Sequence, residues 1–428
     1  MLKQVQAFGA INIASLLLQL GSSLLMTYLA LSLSSDGLSD VWGGALMAAN
    51  ALGMVTGGQF GHKVIAGVGH VRTYVACAGI ICAAVLAHAF SDSMLFWLLL
   101  RFVVGMSMMC QLTVIESWLN DRAQSHERGV VLGNYMIASY VGMMLGQLTL
   151  SLKGDLGIHA LLIVAITFAL SQVPVALTRS AHPTILQPGQ VSVRRFVRRI
   201  PQSLVTVLVS GIINGSFYGL AAIYAKQQGL DTAGIGKFMA LTIGAGLLAQ
   251  LPLGWVSDRF PRASIIRLAA LLLMLACLPL GLIQGLQLEL LMLCTAIVGF
   301  FQFCLYPLGV ALANDNVEPE MRIPLAGLLL GTFGIGACMG PLIAGGLMSY
   351  YGPPSLYYFL ASCAAILVLI VGQKKVSGKY LQQDAPLLHQ ATPSGLATAN
   401  IAATEPVESV NDDQKSQETP VVIERLPG

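Results

Sequence analysis

Two ionisable side chains interrupt a long apolar run that gives them no water to face. Arg101 lies about two turns inside the run from Met94 to Leu119, and Glu116 follows fifteen residues later. That separation is roughly 22 Å along a helix axis, so the two cannot pair and serve opposite ends of one helix. A cation at the centre of a membrane-crossing helix costs about 2.5–3.5 kcal/mol on insertion scales, less where it snorkels. Arg101 could anchor an anionic or carbonyl-bearing cargo, or act as counter-charge to a protonating group. Bonding to the backbone carbonyls of neighbouring helices is the alternative. Glu116 offers a carboxyl able to take and release a proton. Amides and phenols are spread over the other apolar runs: Gln19, Asn50, Gln111, Asn134, Asn214, Tyr218, Gln250, Gln302 and Tyr306. Polar groups in hydrocarbon need partners or water, so they are candidates to line a substrate cavity or to bond helix to helix.

The elements that must position these residues are helices. Of the 428 residues, 55% are hydrophobic and 10% charged, a balance that excludes a soluble globular chain. Twelve runs are long enough to cross a bilayer: 7–33, 41–61, 71–90, 94–119, 129–151, 157–177, 202–224, 233–256, 264–284, 288–313, 324–349 and 354–372. They are continuously apolar rather than alternating, which predicts helices instead of barrel strands. The expected fold class is therefore an all-α polytopic membrane protein with twelve transmembrane helices.

Basic residues crowd the breaks on the side of the amino terminus, including Lys63, Arg72, Arg122, Arg128, Arg198, Arg199, Arg259, Arg262, Arg267 and Arg322. Lys153, Lys226 and Lys237 lie toward the other side. The excess of positive charge predicts that both termini are cytoplasmic. The expected organisation is a first bundle over 1–177, a basic cytoplasmic linker over 178–201, a second bundle over 202–373, and a disordered cytoplasmic tail over 374–428. The eight cysteines all fall within apolar runs, none in a C-x-x-C pair, and read as packing residues; no metal or other cofactor is expected. Phosphate-loop, nucleophile-elbow and zinc-protease motifs are absent, so the chain is not read as an enzyme.

A half-length repeat runs through the chain. Gly58-x-x-x-His62-Lys63 matches Gly254-x-x-x-Asp258-Arg259, Asn120-Asp121 matches Asn314-Asp315, and Gly142-x-x-x-Gly146 matches Gly336-x-x-x-Gly340, at offsets of 196, 194 and 194 residues. Two six-helix halves of like topology follow, with cargo held between them near the bilayer midplane.

With this layout, Gly254-Trp255-Val256-Ser257-Asp258-Arg259-Phe260-Pro261-Arg262 resembles the G-x-x-x-D-R-x-x-R signature of the major facilitator superfamily. Arg101-x-x-x-Gly105 and Gly336-x-x-x-Gly340-Pro341 with Gly345-Gly346 resemble two further signatures. In the family's antiporters the last of these is expected on helix 5, where this chain has Gly142-x-x-x-Gly146-Gln147 without the proline. Glu116-Ser117-Trp118-Leu119-Asn120, together with Leu305-Tyr306-Pro307 and Ala313-Asn314-Asp315, resembles the bacterial YcaD-type subgroup.

The resemblance implies the major facilitator fold, two pseudo-symmetric six-helix bundles, in a bacterial inner membrane. It implies gating roles for Gly58, His62, Lys63, Glu116, Gly254, Asp258, Arg259, Arg262 and Asp315. Asp258 would face the start of span 5, and Lys63 would meet the acidic loop holding Asp315, Glu318 and Glu320. The expected function is secondary active transport of a small solute by alternating access. Protons are the coupling ion, a monomer is the unit, nucleic acid is not a partner, and export of small organic compounds is the leading direction. Import of a polar or anionic metabolite is the alternative; a transport-dead sensor or a channel is the alternative of another class.

Overall fold

The computed structural model of the chain describes residues 2–122, 128–152, 157–177, 193–283, 285–318 and 321–372. The expected tail over 374–428, most of the basic linker, and Glu320 lie outside the described residues. Among the described residues, thirteen α-helices follow one another: α1 (Leu2–Ser35), α2 (Asp40–Val68), α3 (His70–Ala87), α4 (Met94–Arg122), α5 (Arg128–Thr149), α6 (Gly157–Ala176), α7 (Val193–Arg199), α8 (Pro201–Gln227), α9 (Thr232–Arg259), α10 (Arg262–Leu282), α11 (Leu288–Asn314), α12 (Arg322–Tyr351) and α13 (Ser355–Ile370).

Twelve of these correspond to the twelve apolar runs, and α7 is an added basic helix of about two turns before the second half. Hydrocarbon offers no partner to a bare N–H or C=O, so each crossing segment satisfies its backbone internally. Side chains set some of the ends. The Asp231 carboxylate accepts from the Gly234 N–H at 2.8 Å and starts α9. Gly69, at φ +93°, stops α2 in a conformation that suits glycine.

That stop comes later than the apolar pattern suggests. The polar break at His62-Lys63 was expected to be loop, yet α2 continues through it to Val68. Histidine and lysine do not oppose helix, and only Gly69 turns the chain. Gly58, His62 and Lys63 are therefore helical residues.

Among the described residues, nine helices are long and apolar enough to cross a membrane by length and composition. Helices α2 and α5 fall outside that set, and α13 is a shorter apolar helix. Composition accounts for the first two: α2 holds several glycines with Asn50, Gln59, His62 and Lys63, and α5 holds glycines with Asn134 and Gln147. Helix α2 packs on α12 and α8, and α5 packs on α9. A helix covered by protein can carry glycine and amides that lipid would disfavour.

The packing inside the first half recurs in the second. Pairs α1–α5, α1–α6, α2–α4, α3–α4 and α3–α6 reappear as α8–α12, α8–α13, α9–α11, α10–α11 and α10–α13. The glycine repeat seen in the sequence lies at equivalent contacts. A Cβ on Gly142 or Gly146 would meet the carbonyl oxygens of Leu16 and Leu20 on α1, and one on Gly336 or Gly340 would meet those of Leu208 and Ile212 on α8. Glycine is required there because a backbone lies where a side chain would start.

Two apolar clusters fill the interior, and each crosses from one half to the other. The first gathers α1–α6 with Val310, Leu325, Leu329 and Phe333; the second gathers α8–α13 with Met136, Tyr140 and Met143 of α5.

Gly340→Val places a branched side chain against the Ile212 backbone, whereas a Cβ on Gly346 of the same helix meets nothing within 4 Å. Thermal unfolding in detergent should show Gly340→Val destabilised by roughly 1–3 kcal/mol, the usual range for overpacking, and Gly346→Val close to the parent.

Candidate functional site

A cavity with about 570 Å³ of space free of protein atoms lies between the halves. Gln19, Ser22, Ser23 and Met26 of α1, Met47, Asn50, Ala51 and Met54 of α2, Met108 and Met143 line it from the first half. Asn214, Gly215 and Tyr218 of α8 with Phe333 and Ala337 of α12 line it from the second. Gln19, Asn50, Met108, Asn214 and Ala337 stand near the middle of their helices, so the cavity sits at mid-depth.

Its polar edge is not internally satisfied. Gln19 Nε2, Asn214 Oδ1 and Tyr218 Oη are buried without a hydrogen-bond partner. The Asn50 amide reaches only the Met54 sulfur, at 3.7 Å. Buried donors and acceptors are rarely left bare, so these atoms are suited to a bound molecule.

Arg101 lines an adjoining space of about 230 Å³ with Met26, Leu29, Ala30, Gly43, Leu46, Met47 and Gly219. The two spaces share Met26 and Met47. The guanidinium is buried and donates to the Met26 sulfur at 3.8 Å. None of the ion pairs between described residues includes it. His88 bonds through Nδ1 to the Ala84 carbonyl at 2.8 Å and packs edge-on against Trp97.

The remaining predicted cavity residues are distributed elsewhere. Gln250 lines a third space with Gly254, Arg262 and Pro307, reached also by Met136 of α5. Gln302 and Tyr306 are buried on α11, with Tyr306 packed on Phe333. Gln111 is turned into the first bundle, where it donates to the Tyr74 carbonyl at 3.2 Å. Asn134 is exposed and lines none of these three spaces. The five methionines around the central cavity were not singled out from sequence. Methionine counts as apolar in any periodicity, so the composition, with 17 of them, was the only signal available.

The end opposite the chain termini is held by hydrogen bonds between the halves. Ser39 and Ser349 hydroxyls meet at 2.7 Å, Lys226 donates to Ser35 at 2.8 Å, and Ser151 donates to the Ala233 carbonyl at 3.2 Å. Beneath them a Cβ on Gly44 would strike the Pro341 carbonyl, and one on Gly345 would meet the Asp40 backbone.

The terminal end differs from expectation. Asp258 is paired with Arg262 one turn on, at 3.1 Å, and Arg262 reaches Asp315 at 2.8 Å. Arg259 lies over the Trp255 ring, 3.7 Å from its centroid. Glu318, expected opposite Lys63, is paired with Arg199 at 3.0 Å. Lys63 lies over Phe60, with its ammonium 5.6 Å from the ring centroid, while His62 is half-buried. Of the acids of the α11–α12 loop, Asp315 and Glu318 are thus tied to their own half and to the linker helix, by the nearer arginines of α10 and α7.

Glu116 lies apart from all of this, buried inside the first bundle with neither carboxyl oxygen hydrogen-bonded. Cys77 and Cys110 bring their thiols together between α3 and α4, a contact their spacing in sequence gave no hint of.

Two pseudo-symmetric helical bundles around a shared mid-depth cavity define a multi-pass membrane transporter, and the comparisons place it. The profile of the Major Facilitator Superfamily matches residues 11–289 and 245–395, and the chain belongs to that family. It is 30% identical over 359 residues to the uncharacterized MFS-type transporter YcaD of Salmonella enteritidis PT4, covering 83% of this chain and 92% of the relative. Among solved structures it is similar to the nucleoside transporter NupG, with a TM-score of 0.73 at 14% identity over 86% of this chain and 98% of that one. It is also similar to a bacterial homolog of the human lysosomal transporter Spinster, with a TM-score of 0.67 at 16% identity over 89% and 96%. At the level of the family, the relatives are transporters and not enzymes.

Burial pushes the Asp315 carboxyl, just beyond the end of α11, up to about 6 against the pull of Arg262. The folded state then holds this proton more tightly than the unfolded chain does. The group's contribution to stability is greatest below the ordinary carboxylate value and is lost as pH rises through about 6. Melting curves taken from about pH 4 to pH 7 should show this decline in the parent and a flatter profile in Asp315→Asn.

Proposed function

We propose that the chain is a proton-coupled secondary transporter that carries small amphiphilic organic compounds by alternating access, with export as the net direction. The observation that carries this reading is the central cavity, lined from both halves, with Gln19, Asn214 and Tyr218 presenting unpartnered polar atoms among five methionines. A largely apolar pocket with a few convergent polar groups is the usual form of a small-molecule site. Methionine sulfur is polarizable and its side chain flexible, which suits cargo of varied shape.

The orientation that fits the basic loops puts both termini in the cytoplasm of a bacterium, as a monomer in the inner membrane. The distal hydrogen-bonded end is then periplasmic. Opening toward that side separates α2 from α12 and breaks the Ser39–Ser349 and Ser35–Lys226 contacts. The Arg262–Asp315 pair braces the cytoplasmic turn of the second half.

One observation favours a second reading, import of a polar or anionic metabolite. Arg101 is a buried cation with no carboxylate beside it among the described residues, and an anionic cargo would complete it.

Flux in proteoliposomes with an imposed pH gradient tests the assignment. Saturable, gradient-driven movement is expected; flux that never saturates indicates a channel, and binding without flux a sensor. Arg101→Ala should weaken the apparent affinity for an anionic cargo by roughly 10- to 100-fold, the value of a charge-assisted hydrogen bond, and leave a neutral cargo nearly unaffected. Full transport of anionic cargo by Arg101→Ala at normal expression removes Arg101 from the site.

A further inference from the structure

Glu116 is used by none of the contacts described for the cavity or for either end of the molecule. It stands on α4, six residues before Arg122 and so roughly 9 Å along the axis from the terminal end of that helix. Neither carboxyl oxygen has a hydrogen-bond partner, and none of the ion pairs between described residues includes it. None of the three spaces between the helices reaches it.

Among the described residues, the groups facing it are hydroxyls. Tyr135 of α5 lies close enough to feel the carboxyl, with Tyr74 of α3 behind it. Tyr135 faces Ser139, and Tyr74 faces Ser171 of α6. His70 stacks on Trp118 near the start of α3, and the Cys77–Cys110 thiols lie further along α4. The buried face of α2 brings glycines, alanines, Asn50 and apolar side chains, with nothing that carries charge.

A carboxylate buried there with neither oxygen hydrogen-bonded is far costlier than the neutral acid. We propose that Glu116 is the seat of the coupling proton, located inside the first bundle and separate from the cargo cavity. This rests on the proton-coupled carrier reading and deepens it. The acid releases one proton to water at the terminal end of α4 and becomes a carboxylate; the reverse step takes one proton back, and no other bond changes.

The carboxylate must then draw in water or the hydroxyls of Tyr135 and Tyr74, which pulls α3 and α5 away from their present seating on α4. Helix α5 also carries Met143 at the cavity and packs on α9, so the proton acts on the cargo space through helix packing rather than by contact.

Infrared difference spectroscopy on the full chain in lipid nanodiscs, in choline buffers, tests this directly. Titration above about pH 7, where Asp315 is already ionised, should show loss of a carbonyl stretch from a buried protonated acid. That component should be missing in Glu116→Gln and shifted in Glu116→Asp, which keeps a carboxyl should the amide variant fail to fold. A band left unmoved by Glu116→Asp, or present in Glu116→Gln, overturns the proposal. Displacement of the band by sodium at constant pH overturns it in favour of a metal cation. The measurement needs no cargo: gradient-driven flux without this band refutes Glu116 alone, whereas the band without any flux refutes the carrier.

Discussion

The rest of the structure depends on the close approach of α2 to α12. Gly44 lies against the Pro341 carbonyl, Gly345 lies against the backbone at Asp40, and the Ser39 and Ser349 hydroxyls meet just beyond. Lipid chains are as apolar as leucine, so burying hydrocarbon gives helices in a bilayer little reason to associate. Close packing of small residues supplies that reason. The same approach sets Met47 and Asn50 opposite Asn214 and Ala337, which makes a cavity where two convex bundles would otherwise only touch. Contacts made by glycine and hydroxyl are shallow, with no long side chain to withdraw, and they can part without unpacking either bundle.

Electrostatic cost accounts for where the charges are found. Paired charges collect at the ends of helices, as Arg262 does with Asp258 and Asp315, and as Arg199 does with Glu318. Water is near there, and each member offsets the desolvation of the other. The two ionisable groups set deeper, Arg101 and Glu116, are without a charged partner among the described residues. A deep unpaired charge is expensive, and its persistence in a helix of otherwise apolar residues points to use rather than to structure. One faces the gap between halves and the other the inside of a half, which separates a role toward cargo from a role toward the proton.

Much of the fold could be read directly from the sequence because membrane constraints act locally. Length and apolarity gave twelve crossings, and glycines at four-residue spacing marked the backbone contacts of Gly142, Gly146, Gly336 and Gly340. The site was less legible, and for a physical reason. A helix that is apolar on every side carries no phase, so nothing distinguished the direction of Gln111, turned into its own bundle, from that of Asn50, turned into the cavity. Asn134 was misplaced on the same ground. The partners of Lys63 and Glu318 depended on which bundle was nearer, a tertiary fact that symmetry alone could not decide. The methionine lining was invisible because a pattern of polar and apolar letters treats methionine as it treats leucine.

Pro341 on α12 carries one more consequence. Proline has no N–H, so the carbonyl of Ala337, one turn earlier, is deprived of its usual helical donor. Ala337 is also part of the cavity wall. The freed carbonyl is directed at α8, where a Cβ on Gly215 would stand 2.8 Å from its oxygen. Proline on one helix and glycine on the other are therefore linked, since a side chain at position 215 would press on the backbone group that the proline leaves without its helical donor.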